Sequence, residues 1–262
     1  MISLAAAAVL LTILFHESIH GIVCLVVGGD IKQFSAVHVR CPCDEQWKFR
    51  VVAASASIAN ILLACGLWPL LRRLQSRGGI AVFLVWLLFA MNLFTGTGYL
   101  FASGLMNAGD WAGVIRGLEP AWLYRVGLIV VGMVSLMLAV AWTLIEFGRM
   151  LDASEPKPIG RAQNIAMTSY GTAFVVMFAV GLAQPNGPLG FPCVHSLMGV
   201  LGGLSPLLWM MQWFRADMFK LRGTKPLEIK QSTTSLALAM AIFTVAVVLT
   251  LIGQHIFNQP LG

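Results

Sequence analysis

Long, uninterrupted runs of apolar residues alternate with short polar segments along the whole chain. Each run is long enough to cross the roughly 30 Å of hydrocarbon in a bilayer as an α-helix. None of the polar segments reaches the ~50 residues that a further folded domain needs. The runs predict six membrane spans, at about Ile2–Val27, Val51–Leu71, Ile80–Ser103, Ala121–Phe147, Ile165–Ala183 and Thr233–Phe257.

A seventh apolar run, Phe191–Phe214, is interrupted by residues that break helices. Glycine and proline at membrane depth are typical of re-entrant or kinked segments, so this run is either a kinked span or one that does not cross. The pattern therefore predicts an all-α polytopic membrane protein with six to seven transmembrane helices. The interrupting residues are Gly199, Gly202, Gly203 and Pro206.

The segment Ile31–Val39, IKQFSAVHV, fits neither a membrane span nor a good helix. Its β-branched and aromatic residues lie between the turn-forming stretches GGD and CPCDE, a pattern typical of short strands. We expect a short β-segment at the membrane surface after the first helix. The orientation of the chain stays open, because the basic-residue majority changes side according to whether the seventh run crosses.

Composition supports the membrane assignment. Of 262 residues, 58% are hydrophobic and 11% are charged, against about 25% charged in a soluble domain. The net charge of +6 indicates loops beside anionic lipid headgroups and does not favour nucleic acid as a partner. We expect an integral, multi-pass protein of the cell membrane, with the lipid bilayer as its surroundings.

The chain has five cysteines, and their spacing predicts no disulfide framework. Cys24 and Cys65 lie in apolar runs, where a cysteine usually acts as a small core residue. Cys41 and Cys43 form a CxC pair in a loop. No second pair with zinc-knuckle spacing accompanies them, so a metal role at this loop is not favoured.

The candidate chemistry lies in the first apolar run, where residues 16–20 read HESIH. On a helix, positions i and i+4 share a face, so His16 and His20 can both bind one metal ion. Glu17 lies beside them, where it can act as a base on water, as in zinc hydrolases. Ionisable groups at membrane depth cost at least ~2.5–3.5 kcal/mol each, so this cluster needs a compensating partner. The alternative is a polar patch that faces a water-filled cavity or a transport path.

A zinc site of this type needs a third protein ligand. Asp110 is the best candidate, because the region Gly104–Gly109 allows a helix to break and redirect a side chain. The alternative for Asp110 is an N-cap of the following segment. Glu146, at the end of the fourth span, is the fallback ligand.

Further motifs extend the pattern beyond HESIH. Gly28 and then Phe34-Ser35 follow it, and Asn60 ends a small-residue stretch in the second span, AASASIANILLA. Asn92 opens NLFTGTGYL in the third span, and an acid follows as Gly109-Asp110-Trp111. In this arrangement, over residues 8–112, the chain resembles the site-2-protease family of intramembrane zinc metalloproteases.

Two departures from the family pattern concern the second and third spans. The family's Gly-Pro before the Asn is replaced here by Ala-Ser, and the acid occurs as Gly-Asp where the family has Asp-Gly. The resemblance implies a metalloprotease core in residues 1–112, with the remainder, 113–262, forming additional transmembrane helices of unknown role.

The resemblance also implies an activity, which is hydrolysis of peptide bonds within or near the transmembrane segments of membrane-protein substrates. One Zn²⁺ per chain would be held by His16, His20 and Asp110, with Glu17 as general base. Asn60 would donate a hydrogen bond to the substrate backbone or to the oxyanion. Substrate control would come from a regulatory membrane partner, because the loops are too short for a regulatory domain. The alternatives are a catalytically inactive, protease-like binding module and a small cation transporter.

Overall fold

In the computed structural model of this chain, long helices and one β-hairpin account for most of the fold. The structure describes residues 1–151, 157–182, 199–215 and 227, and isolated helical positions at 233, 236, 237, 240, 241, 244, 245 and 248. In chain order, the elements up to the last long helix are α1 (Ile2–Val26), β1 (Gln33–Ser35), β2 (His38–Arg40), α2 (Gln46–Leu74), α3 (Ile80–Met106), α4 (Asp110–Ile115), α5 (Ala121–Gly148) and α6 (Pro158–Leu182).

Five of these helices, α1, α2, α3, α5 and α6, are long and apolar enough to cross a membrane. They coincide with the first five predicted spans. The helices α2 and α6 begin several residues before their apolar runs, because a helix continues past the hydrocarbon wherever no residue breaks it. Pro158 opens α6, a position where its missing N–H costs nothing. The sixth predicted span, Thr233–Phe257, lies mostly outside the described residues.

Helix α3 is the centre of the bundle and packs against α1, α2 and α5. Glycines allow the close approach. A Cβ added at Gly96 would lie 2.7 Å from the carbonyl oxygen of Ser57 in α2, and one at Gly132 in α5 would lie 2.6 Å from the Cα of Phe101. Small residues of this kind let helix backbones approach closely inside a bilayer.

Strands β1 and β2 form an antiparallel hairpin, with Phe34 opposite Val39. The sequence places this segment at the membrane surface, and the structure refines that expectation. Ala36 and Val37 at the turn are buried, and Ala36 packs in one apolar cluster with Leu10 and Leu14 of α1. The tip therefore inserts between helices, because the two turn residues are themselves apolar.

The described part of the seventh apolar run, residues 199–214, is broken as its glycines and proline predict. It forms a π-helix (Gly199–Leu204), then α7 (Pro206–Trp209) and a 3₁₀ helix (Met210–Trp213). The π-helix packs against α3. Residues 191–198 of this run lie outside the described part of the chain.

The cysteine predictions are wrong for two residues. Cys24 forms a disulfide with Cys41, their Cα atoms 6.1 Å apart. The spacing of the cysteines could not indicate this, because the pair meets only once the hairpin folds back against α1. Cys65 is exposed instead of buried in the core. A span that faces lipid is apolar on both its outer and inner faces, so an apolar run does not predict burial.

Candidate metal centre

Helix α1 brings both histidines of the HESIH motif onto one face. The ring centroids of His16 and His20 lie 4.8 Å apart, with the rings nearly perpendicular. His16, Glu17 and His20 are all buried. The helix thus presents two imidazoles side by side at a position closed to solvent.

Asp110 reaches the histidines through a tight reversal at the end of α3. Asn107 caps that helix in the left-handed conformation, with φ 52°, and Gly109 precedes α4 with φ 84° and ψ −170°. Only glycine adopts the second conformation without strain. Asp110 is consequently the first residue of α4, and its carboxylate points back at α1.

The three side chains converge on one point. Asp110 Oδ2 lies 3.1 Å from His16 Nε2 and 3.4 Å from His20 Nε2. Within the described residues, these are the only three His, Cys, Asp or Glu side chains grouped so that their potential ligand atoms all lie within 4.8 Å of one another. The sequence named all three as metal ligands.

The other ring nitrogen of each histidine faces an oxygen that accepts a hydrogen bond. His20 Nδ1 lies 2.8 Å from the carbonyl oxygen of Val52, so it must donate. His16 Nδ1 lies 2.7 Å from Asn60 Oδ1. In a neutral imidazole only one nitrogen carries a proton. With the proton on Nδ1, both Nε2 atoms present lone pairs to the point where the side chains converge.

A chain of buried amides sets the orientation of Asn60. Asn92 Nδ2 donates to the carbonyl oxygen of Leu88 at 2.8 Å and to Thr12 Oγ1 at 3.1 Å. Asn92 Oδ1 therefore faces Asn60 and accepts from its Nδ2 at 2.6 Å. This leaves Asn60 Oδ1 toward His16, which fixes the donor role of the Nδ1 atom. Orientation of a ligand ring by such a second partner is usual at metal sites.

Without a cation, the centre would place three acceptors against one another. Two Nε2 lone pairs and one carboxylate oxygen, all buried or nearly so, repel unless a positive charge lies between them. Burial alone would raise the pKa of the Asp110 carboxyl, but His20 and His16 outweigh it and hold that pKa well below its usual range. Two nitrogens and one oxygen are a donor set that suits Zn²⁺.

Glu17 does not belong to this group of converging atoms. Its Oε1 atom is buried and has no hydrogen-bond partner among the described residues. An unpartnered buried carboxylate oxygen is costly, so one in a stable fold calls for a ligand or a solvent molecule. The ring of Tyr99 packs against the other side of His16, with its centroid 5.1 Å from that of the imidazole.

Glu146, the fallback ligand, is held elsewhere. Its carboxylate accepts hydrogen bonds from Trp68 Nε1 at 3.0 Å, from Gln75 Nε2 at 2.9 Å and from Arg149 Nη1 at 3.2 Å. Arg72 Nη1 lies 3.6 Å away. These partners tie α5 to the end of α2, and the structure does not bring Glu146 to the histidines.

Sequence reasoning gave Asn60 a different partner and missed several residues around the centre. Asn60 was expected on the substrate or the oxyanion, and that role stays a prediction. The structure shows it bound to His16 and Asn92. Thr12 lies one helical turn before His16, so its spacing could have indicated it. The carbonyl of Val52 carries no sequence signal.

Comparison with known proteins adds no relative. No protein-family model, no curated protein and no solved structure matches this chain. The resemblance to the site-2-protease family therefore depends on local motifs, and membership of that family stays a prediction.

Proposed function

We propose that this chain is a zinc-dependent intramembrane endopeptidase that cuts membrane-protein substrates within or near their transmembrane segments. The supporting observation is the convergence of His16 Nε2, His20 Nε2 and Asp110 Oδ2, with both imidazoles oriented by buried acceptors. These three residues would hold one Zn²⁺ per chain. An HExxH helix with a distant acid is the ligand arrangement of many zinc hydrolases.

The reaction assigns a separate role to each side chain. When bound, zinc acts as a Lewis acid and lowers the pKa of its water ligand toward ~7. Glu17 accepts a proton from the attacking water and later delivers it to the leaving amine. The unpartnered Oε1 of Glu17 supports this role, because a general base needs a free oxygen within the closed site.

A transmembrane substrate must unwind before it is cut, because a helix engages its carbonyl groups in i→i−4 hydrogen bonds. The hairpin of β1 and β2 offers a place for the unwound segment. It has only two strands, so each strand has an outer edge that pairs with no strand of the described structure. Such an edge can accept an extended peptide by β-addition.

The membrane setting belongs to the same proposal. The five described helices fit a multi-pass protein, and we infer six to seven spans in the complete chain, in the cell membrane. Residues 1–112 would form the protease core, and residues 113–262 would supply further helices. A membrane partner would regulate access of the substrate.

The decisive experiment compares wild-type protein with Glu17→Gln. We expect the variant to retain one zinc per chain, measured by elemental analysis of purified protein, and to lose cleavage of co-expressed single-span candidates. Glu119→Gln, a substitution of an exposed glutamate, is the matched control and should cut normally. His16→Ala should lose the zinc.

Other outcomes would contradict the proposal. Normal cleavage by Glu17→Gln would show that the assigned base is wrong. Zinc binding without cleavage of any candidate by the wild type would favour an inactive binding module. Ion flux that survives Glu17→Gln would favour a cation transporter.

A further inference from the structure

Three cysteines meet where the hairpin returns to α1. Cys24 lies one helical turn beyond His20 and forms the disulfide with Cys41, which follows β2. The Sγ atom of Cys43 lies 3.5 Å from that of Cys41, and its thiol also faces the Cys41 carbonyl oxygen at 3.7 Å. A free thiol therefore lies against one sulfur of an existing disulfide.

The surroundings distinguish the two sulfurs of the disulfide. Cys24 is fully buried in an apolar cluster with Ile31 and Val52, whereas Cys41 and Cys43 are partly exposed at its edge. Gly29 lets the backbone close over the bond, because an added Cβ would lie 2.8 Å from the Cys41 sulfur. A reagent from solvent can thus approach Cys43 and Cys41 more readily than Cys24.

We propose that these cysteines form a thiol–disulfide exchange site. The Cys43 thiolate, having lost its proton to solvent, attacks the Sγ atom of Cys41. A Cys41–Cys43 bond forms as the Cys24–Cys41 bond breaks, and Cys24 leaves with the electron pair and takes up a proton. The number of disulfides does not change, so this step needs no oxidant or reductant.

The electrostatic surroundings of Cys43 make the exchange slow. Burial raises the pKa of its thiol, the neighbouring Lys48 ammonium opposes this effect, and Asp44 adds to it. Because only the thiolate attacks, a raised pKa leaves a small reactive fraction at neutral pH. The Cys24–Cys41 form can therefore persist with the thiol beside it.

The two disulfides constrain the chain differently. The Cys24–Cys41 bond holds the end of α1 to the hairpin, whereas a Cys41–Cys43 bond lies within one loop and leaves α1 free. Val52 links this cluster to the metal centre, since its carbonyl oxygen accepts the hydrogen bond from His20. The partner would be a dithiol reductant, which attacks the exposed Cys41–Cys43 bond and thereby releases all three thiols. This inference goes beyond the proposed protease activity and does not depend on zinc.

The first test is the rate at which dithiothreitol reduces the Cys24–Cys41 bond in the purified full-length protein. Samples are quenched with acid, denatured, alkylated and mapped by mass spectrometry without reduction. We expect wild-type protein to lose this bond at least about tenfold faster than Cys43→Ser, because the neighbouring thiol opens a more accessible route. Cys65→Ser, which removes an exposed thiol elsewhere on α2, is the matched control and should behave as wild type.

The second test uses Cys24→Ser, in which Cys41 and Cys43 are left as a pair. Mild oxidation with oxidised glutathione should join them in a Cys41–Cys43 disulfide. Equal reduction rates for wild type and Cys43→Ser would overturn the proposal. So would a Cys24→Ser protein in which the two thiols form only separate adducts with glutathione.

Discussion

Asn60 accepts the Nδ1 proton of His16 at 2.7 Å, and both side chains are fully buried. The two residues are 44 positions apart, on α1 and α2. This contact turns the lone pair of His16 Nε2 toward Asp110 and His20. The metal centre therefore depends on the packing of α2 against α1 as well as on the HESIH motif.

Asn60→Leu tests this orienting contact. The change removes the acceptor of the Nδ1 proton, and we expect zinc affinity to fall by about 10–100-fold, as is usual when a ligand histidine loses its second partner. Zinc titration with a competing chelator measures the loss. Ser57→Ala is the control, because Ser57 is buried one turn earlier on α2 and its hydroxyl has no described partner. Equal affinities for the two variants would remove Asn60 from the centre.

Asp110→Asn tests the third ligand. The amide keeps the size of the side chain but removes the negative charge between the two Nε2 atoms, so we expect bound zinc to fall well below one per chain. Elemental analysis of purified protein measures the content. Asp44→Asn, at an exposed position of the hairpin loop, should retain full zinc. Full zinc in both variants would show that another group completes the site.

Gly109→Ala tests the reversal that aims Asp110. A Cβ there is strained at φ 84° and would also lie 3.1 Å from Ser103 Oγ, so we expect α4 to shift and zinc content to fall. Gly79 is a matched control with φ 84° and ψ −169° at the start of α3, but with nothing within 4 Å of an added Cβ. Both alanine variants should lose about 1–3 kcal/mol of unfolding free energy. Only Gly109→Ala should lose metal, and loss of zinc in both would indicate a general effect of instability.

Glu146→Gln separates structural from metal-binding acids. It removes the charge that pairs with Arg149 and Arg72 while keeping an acceptor for Trp68. We expect the free energy of unfolding in detergent to fall by about 1–3 kcal/mol, because hydrogen bonds to a buried charge are lost. Zinc content should not change. A variant with normal stability and no zinc would reinstate Glu146 as the third ligand.

The Cys24–Cys41 disulfide predicts the orientation that the basic residues leave open. Disulfides persist in oxidising compartments, so the hairpin side of the membrane should face one. The connection between α3 and α5 lies on the same side, because Gln46 and Arg50 of α2 donate hydrogen bonds to Arg116 in it.

A membrane-impermeant maleimide can check this orientation in intact cells. Glu119→Cys, beside Arg116, should be labelled without permeabilisation. Ser76→Cys, in the turn between α2 and α3, should be labelled only after it. The reverse pattern would place the disulfide on the reducing side and contradict the prediction.

The sequence by itself determined the features that depend on neighbours along the chain. Apolar runs predicted the positions of five described helices, since a span requires about 20 consecutive apolar residues whatever it packs against. The HESIH spacing placed His16 and His20 on one face, because helical periodicity alone decides this. Asp110 was selected because carboxylates near membrane depth are few and the preceding glycines allow a helix to break.

Only the tertiary structure decided the contacts between distant segments. Asp110 lies 94 residues from His16, and whether they meet depends on how α3 packs between its neighbours. The Cys24–Cys41 bond, the exposure of Cys65 and the bond between His16 and Asn60 have the same origin. In a bilayer every span is apolar on its outer face too, so hydrophobic periodicity does not show which face meets another helix. That choice is made by close packing at glycines and by buried hydrogen bonds, which join residues far apart in the sequence.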